Sequence, residues 1–291
     1  MKNNTKKVSN NSFFEVINNL LKKKESFICS RLPGSKQVNL NSGIVTKLKR
    51  SEIQDNGIFV MPFIEKNLGW MLSPSLNYET IIEKKLNSKN NNFLNVKDLV
   101  KNEEKENYTR SVKNLIKEID KGKLSKIVFS KKITLKRPNS NCVSIFKNIL
   151  DSYNDAFCYF FYTPKEGVWL GASPELLFKK EKNSILTMAL AGTKFNISSE
   201  WGDKEYSEQK IVQDEIIENL SPLCSSLSLG ETETVSAGKI QHLKTSFEGT
   251  TQASTIKLIN ALFPSSAIAG FPRKTALKLI SKYELHERSF Y

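Results

Sequence analysis

A chain of 291 residues is long enough to bury a substantial core, as one large domain or two modest ones. Its 39% hydrophobic and 25% charged residues describe an ordinary soluble protein, and no apolar run approaches the roughly 18–20 residues that cross a bilayer. The net charge of +14 invites a nucleic-acid partner, but only six of the 44 basic residues are Arg and the lysines are spread along the chain rather than gathered in one arm, so neither nucleic acid nor membrane is expected as a partner.

Residues 1–11 are polar and are expected to be disordered, with Ser12 capping a helix that runs to Lys24 and gathers Phe13, Val16, Ile17, Leu20 and Leu21 on one face. Residues 27–31, 44–47, 57–64 and 69–72 read as strands, Pro62 marking a bulge or an edge. The Asn/Lys-rich residues 87–95 read as a mobile loop. From residue 107 to 121, Tyr108, Val112, Leu115, Ile116 and Ile119 recur at helical spacing and Gly122 closes the helix. Residues 124–135 form a β-rich run that begins close to Lys126. A helix over 142–150 follows, then a strand over 156–163 too apolar to be solvated on either face.

Residues 168–190 read as two strands around a hairpin, with a polar turn at 179–184. Gly171-Ala172-Ser173-Pro174 interrupts the first strand and presents one acid, Glu175. Ala191, Gly192 and Thr193 end the second with bare backbone and a hydroxyl. A helix over 204–220 carries Glu208 near its start and a stripe of Ile211, Val212, Glu215, Ile216 and Leu220. Two short strands surround His242, and helices over 255–262 and 274–282 enclose the segment Pro264–Arg273. Strands and helices mix without regular βαβ alternation, which indicates an α+β fold. The four cysteines are scattered, with no C-x-x-C pair, which argues for a reducing cytoplasm and against zinc or disulfides.

Four segments form a set: Lys126-Ile-Val-Phe-Ser; Gly171 to Glu175 together with Ala189 to Thr193; the helix bearing Glu208, Val212 and Asp214; and Ala267-Ile-Ala-Gly270-Phe-Pro-Arg273. In this order they resemble the chorismate-utilising enzyme family, which includes isochorismate and salicylate synthases and the large subunits of anthranilate and aminodeoxychorismate synthases. The likeness covers roughly residues 105–291, leaving 1–104 as a scaffold part of the fold. It implies an anthranilate synthase component I-like fold, with large antiparallel sheets and flanking helices around a magnesium-dependent site for chorismate.

Isochorismate synthesis adds water at C2 of chorismate and expels the C4 hydroxyl, which demands a base, an acid and a cation for the ring carboxylate. By resemblance, Lys126 matches the base and is expected to be buried beside other cationic groups. Glu175 matches the acid, with Trp169 and Leu170 as its apolar setting. Glu208 matches a magnesium ligand, and Asp214 is a lesser candidate for an outer acid. Ala191, Gly192, Thr193 and His242 match the lining of the substrate site, as do Ala267 and Gly270. His242 also fits a satisfied core histidine. Aminating members resemble G-T-[VL]-[ST]-G where this chain has Ala267-Ile-Ala-Gly270. The pattern here favours water as nucleophile, in a route to menaquinone or a catechol siderophore, with salicylate synthesis as the alternative.

The chain stops near Tyr291, where family members resemble R-x-W-Y-A-G and continue into further strands and a second metal ligand. The chain is therefore expected to lack C-terminal strands of the fold: a fragment, the product of a damaged reading frame, an inactive remnant, or one part of a split protein with a separate C-terminal fragment as partner. The isolated chain is expected to be inactive or very weak.

Overall fold

The computed structural model of the protein describes residues 5–64, 66–86, 102–134, 141–195 and 198–291. In chain order the elements are β1 (Thr5–Lys7), α1 (Asn10–Lys23), β2 (Phe27–Arg31), β3 (Gln37–Leu48), β4 (Ile58–Val60), β5 (Gly69–Ile81), α2 (Asn102–Asp120), β6 (Lys126–Ile127), α3 (Cys142–Ser152), β7 (Phe157–Thr163), β8 (Gly167–Ser173), β9 (Lys179–Glu181), β10 (Ser184–Lys194), α4 (Asp203–Leu220), β11 (Ser226–Ala237), β12 (Ile240–Thr250), α5 (Thr255–Leu262), β13 (Gly270–Phe271) and α6 (Arg273–Tyr283). They fall into two compact units that interleave along the chain: Met1–Asn91, Arg137–Glu175 and Phe290–Tyr291 form one, Asn92–Lys136 and Leu176–Ser289 the other. Among the described residues no helix is long and apolar enough to cross a membrane.

The first unit holds a seven-stranded sheet in the order β1-β5-β3-β2-β7-β8, with β4 also on β5. Strand alternation explains how it is buried on two faces. Phe27 and Cys29 of β2, with Cys158 and Phe160 of β7, meet Phe13 and Ile17 of α1 and Phe146 and Leu150 of α3. Ile28 and Phe161 point the other way, onto Trp70 and Leu72. The strand read as too apolar for solvent on either face is β7, and it feeds both cores.

The second unit holds a four-stranded sheet, β11-β12-β10-β9, and the two-stranded ribbon β13-β6. Ile185, Ala189 and Ala191 of β10 and Phe247 of β12 pack under Val212, Ile216 and Leu220 of α4 and Leu258 and Leu262 of α5. The apolar stripe read from α4 is the face that makes this contact, and its Glu215 is buried with it.

Several expectations need correction. The start of the chain is ordered from Thr5: β1 pairs in parallel with β5, and Ser9 rather than Ser12 caps α1, its Oγ accepting from Ser12 N at 3.3 Å. Of residues 57–64 only β4 is a strand. The hairpin expected over 168–190 divides between sheets: β8 pairs with β7, whereas β10 pairs with β9 around a turn at Lys182, which has φ 54°. Pro174, lacking an amide, helps to end β8. Among the described residues of the β-rich run only Lys126 and Ile127 form a strand, because Pro272 offers no N–H after Phe271 and the Ser130 amide donates to Glu284 at 2.7 Å instead of to a strand. The loop expected at 87–95 lies outside the described residues.

Candidate active site

Lys126 is placed by what precedes it. Gly122, at φ 70°, closes α2 with its amide on Ile119 O at 2.8 Å, and the chain turns through buried Leu124 into β6. There Lys126 stands opposite Phe271, with Ser125 N on Phe271 O at 2.8 Å and Val128 N on Ala269 O at 3.0 Å. Its side chain is buried, and Nζ lies 3.0 Å from Glu208 Oε1 of α4. Burial was expected; the charge paired with Lys126 is a carboxylate. The pair borders a cavity of about 600 Å³, whose other walls include Tyr108, Val112 and Ile119 of α2 and Ser207 of α4, and Lys204 is the other cation that lines it. That volume suits a small molecule.

A second group forms where β10 ends. Ala191 pairs with Leu243 and Lys194 with Gln241, so Gly192 and Thr193 together face the single residue His242. This is a β-bulge whose first residue is a glycine in the left-handed region, at φ 70°. A Cβ there would stand 3.1 Å from Glu205 Cβ, so Gly192 also lets the first turn of α4 lie close. His242 Nδ1 is 2.8 Å from Gly192 O and 3.1 Å from Thr193 Oγ1. A carbonyl only accepts, so Nδ1 donates to Gly192 O and Nε2 is the ring atom left to meet a further partner.

Ala267 and Gly270 lie on the segment between α5 and α6. Gly270 has φ 130°, and a Cβ would fall 2.3 Å from Lys126 O and 2.8 Å from Ile127 Cα. Only glycine allows β13 to approach β6 this closely. Two acid–arginine pairs fix the segment, one buried on both sides and one with its arginine partly exposed. Glu215 accepts from Ser266 N at 2.6 Å and from Arg273 Nη2 at 3.1 Å. Arg288 donates to Ile268 O at 2.7 Å and Val128 O at 2.6 Å while held by Glu284. Burial pushes the Glu284 carboxyl up, but hydrogen bonds from Arg288 and from the Ser130 amide and hydroxyl outweigh it and hold the group below the ordinary glutamate value.

Glu175 belongs to the first unit, just past β8. It is half-buried, and its amide and the Ser173 hydroxyl form a local turn at 3.4 Å. Trp169 stacks on Phe161, and Leu170 packs against the helix-covered core. Asp214 forms an exposed pair with Lys210 at 2.8 Å. Among the described residues no three His, Cys, Asp or Glu side chains gather as a metal cage. Glu208 therefore fits magnesium only in the manner usual for that ion, one carboxylate completed by water and substrate oxygens.

Sequence reasoning passed over Glu215, Arg273, Glu284 and Arg288 as site-forming residues. One signal was available: an acid inside the apolar stripe of α4 needs a buried cation.

The profile of the family described as chorismate binding enzyme matches residues 70–291. Isochorismate synthase MenF of Haemophilus influenzae is 29% identical over 195 residues, covering 62% of this chain and 45% of that protein. The vibriobactin-specific isochorismate synthase of Vibrio cholerae is 23% identical over 282 residues, 89% of this chain and 70% of that one. The chain spans about half the length of the first curated relatives it matches. The solved structure of MenF, the menaquinone-specific isochorismate synthase from Escherichia coli, superposes with a TM-score of 0.70 at 18% identity, covering 91% of this chain and 74% of that one. That likeness shows the expected α+β fold. The match over residues 70–291 shows the rest: this chain belongs to the chorismate binding enzyme family.

Proposed function

We propose that the chain is an isochorismate synthase, an isomerase that adds water at C2 of chorismate and releases the C4 hydroxyl as water. The observation that carries the reading is the Lys126–Glu208 pair, 3.0 Å apart beside a cavity of about 600 Å³. Residues 105–291 form the substrate-binding region in this reading, and 1–104 its scaffold. Lys126, in its neutral form, takes a proton from the attacking water, and Glu175, in its protonated form, gives one to the departing C4 hydroxyl, so no proton is gained or lost. Glu208 would hold Mg²⁺, which when bound would neutralise the ring carboxylate. Gly192 and Thr193 offer backbone and hydroxyl to a carboxylate, and Ala191, Ala267 and Gly270 keep the wall low. His242 Nε2 meets a substrate hydroxyl. Ala267 supports water, rather than ammonia, as nucleophile. The free cysteines fit a cytoplasmic protein, and its product would serve menaquinone or a catechol siderophore.

Incubation of the purified protein with chorismate and Mg²⁺, followed by chromatography, tests the proposal. Isochorismate formed slowly, in keeping with the weak activity expected of the isolated chain, is the expected product, and Lys126→Ala and Glu208→Ala each abolish it. Fluorescent salicylate, or unchanged chorismate, overturns the reading.

A further inference from the structure

Helix α4 carries two acids seven residues apart, a spacing that returns Glu215 to within about 20° of Glu208 around the helix axis. One face of α4 thus reaches the Lys126 region at two points. Glu208 lies 3.0 Å from Lys126 Nζ. Glu215, only 3% exposed, takes Ser266 N on Oε2 at 2.6 Å and Arg273 Nε and Nη2 on Oε1 at 3.3 and 3.1 Å. Arg273 also donates to Asn260 O at 3.0 Å and Ala261 O at 2.5 Å, where α5 ends. One carboxylate therefore ties the end of α5, the start of the segment and the first residue of α6 to α4.

The segment transmits what that carboxylate fixes. Ile268 N and Ala269 N both donate to Ser265 O, at 3.1 and 2.9 Å, winding the residues between Ser266 and Gly270 into one tight turn. The next residues are β13, where Phe271 stands opposite Lys126. A displaced Ser266 displaces β13, and with it the strand that bears Lys126, relative to Glu208 on the same helix that holds Ser266. A buried ion pair is weak evidence for stability, since apolar residues of equal volume often serve as well. Its directed hydrogen bonds supply position.

We propose that Glu215 is a positioning residue, which sets the spacing between Lys126 and Glu208 through Ser266 and Arg273. The inference rests on the reading of Lys126 and Glu208 as working groups of the site. Glu215→Asp keeps the charge but withdraws the carboxylate by one methylene; Glu215→Gln keeps the length and an acceptor for Ser266 N but turns its NH2 towards Arg273, which it cannot hold. Misplacement on the order of 1 Å costs about 100-fold in rate. The Asp variant is therefore expected to lose about 10- to 100-fold in kcat for isochorismate formation with KM little changed, and the Gln variant, which keeps the Ser266 tie alone, to lose less. In the Asp variant, amide hydrogen exchange is expected to quicken at Ser125 and Val128, whose N–H groups bond Phe271 and Ala269, while β10 and β12 keep their protection. Unchanged kcat in the Asp variant overturns the proposal. So does exchange that quickens throughout α4, β10 and β12, which marks a role in folding alone. Should the parent protein leave chorismate unchanged, the functional reading fails. Exchange at Ser125 and Val128 then decides the positioning claim by itself, and unaltered protection there overturns it.

Discussion

Arg31 in the first unit and Arg273 in the second both donate to carbonyls where a helix ends, yet their surroundings differ. Arg31 is 3% exposed and sends Nη1 to Leu150 O at 2.7 Å and Nη2 to Tyr153 O and to Cys158 Sγ, the last at 3.3 Å. A cation at the carbonyl end of α3 complements the helix dipole. Arg273 treats the end of α5 in the same way, but it also holds Glu215, and Glu215 holds a backbone amide on another segment. The first unit buries two guanidiniums, Arg31 to finish a helix inside an aromatic core and Arg50 with Nη2 on Pro62 O at 3.3 Å. The second buries Lys126, Glu215, Ser266 and Arg288 around one ribbon, and Gln209 against the β10–β12 sheet. Polar groups cost free energy when buried, so an interior rich in them marks where geometry has to be fixed at some cost in stability.

The sharpest way to break this contrast is Glu284→Ala. It leaves the buried Arg288 guanidinium without the carboxylate that holds it, and a loss of about 3–5 kcal/mol in urea denaturation is expected. The same pair sets a pH dependence. Because the folded-state value for Glu284 is depressed, its contribution is present at neutral pH. That contribution is lost as pH falls through the folded-state value, below the ordinary glutamate value of about 4.3. The urea midpoint of the parent is expected to drop across that acid range more steeply than that of the variant.

Gly270→Ala tests the close approach of backbone without touching a charge. With φ at 130° and the Lys126 carbonyl in the way, it is expected to cost about 3 kcal/mol and to lower isochorismate formation together with stability. Arg31→Met in the first unit is the control. It leaves the α3 carbonyls short of a donor but strands no carboxylate, so about 2 kcal/mol is expected, with no new acid dependence. Equal losses from Glu284→Ala and Arg31→Met would erase the distinction between the two interiors.

The helices were legible because their apolar residues recur at a local period. The α4 stripe and the α2 pattern ended within a few residues of the observed boundaries, and Gly122 marked its stop correctly. Motif order carried the family assignment. Pairing partners were not legible. Residues 168–173 and 184–190 have the alternation of neighbouring strands, yet they join different sheets, because alternation fixes a face and says nothing about which strand lies alongside. The β-rich run beyond Ile127 has strand-forming residues whose amides found other acceptors, Ser130 on Glu284 being the case at hand. The two acid–arginine pairs were hidden for the same reason. Glu215 and Arg273 are 58 residues apart, and nothing local to either names the other.

The bulge at Gly192 has a consequence for how the chain tolerates change. Eight successive pairs, from Ser184 with Thr250 to Ala191 with Leu243, run in regular register before the extra residue. The bulge absorbs a one-residue mismatch beyond them, so the strand end that bears Thr193 is out of phase with the part that packs beneath α4. The length of that end can drift by a codon while the packed part keeps every partner. Evolution can thus retune what β10 offers beside His242 without reopening the core from which it emerges.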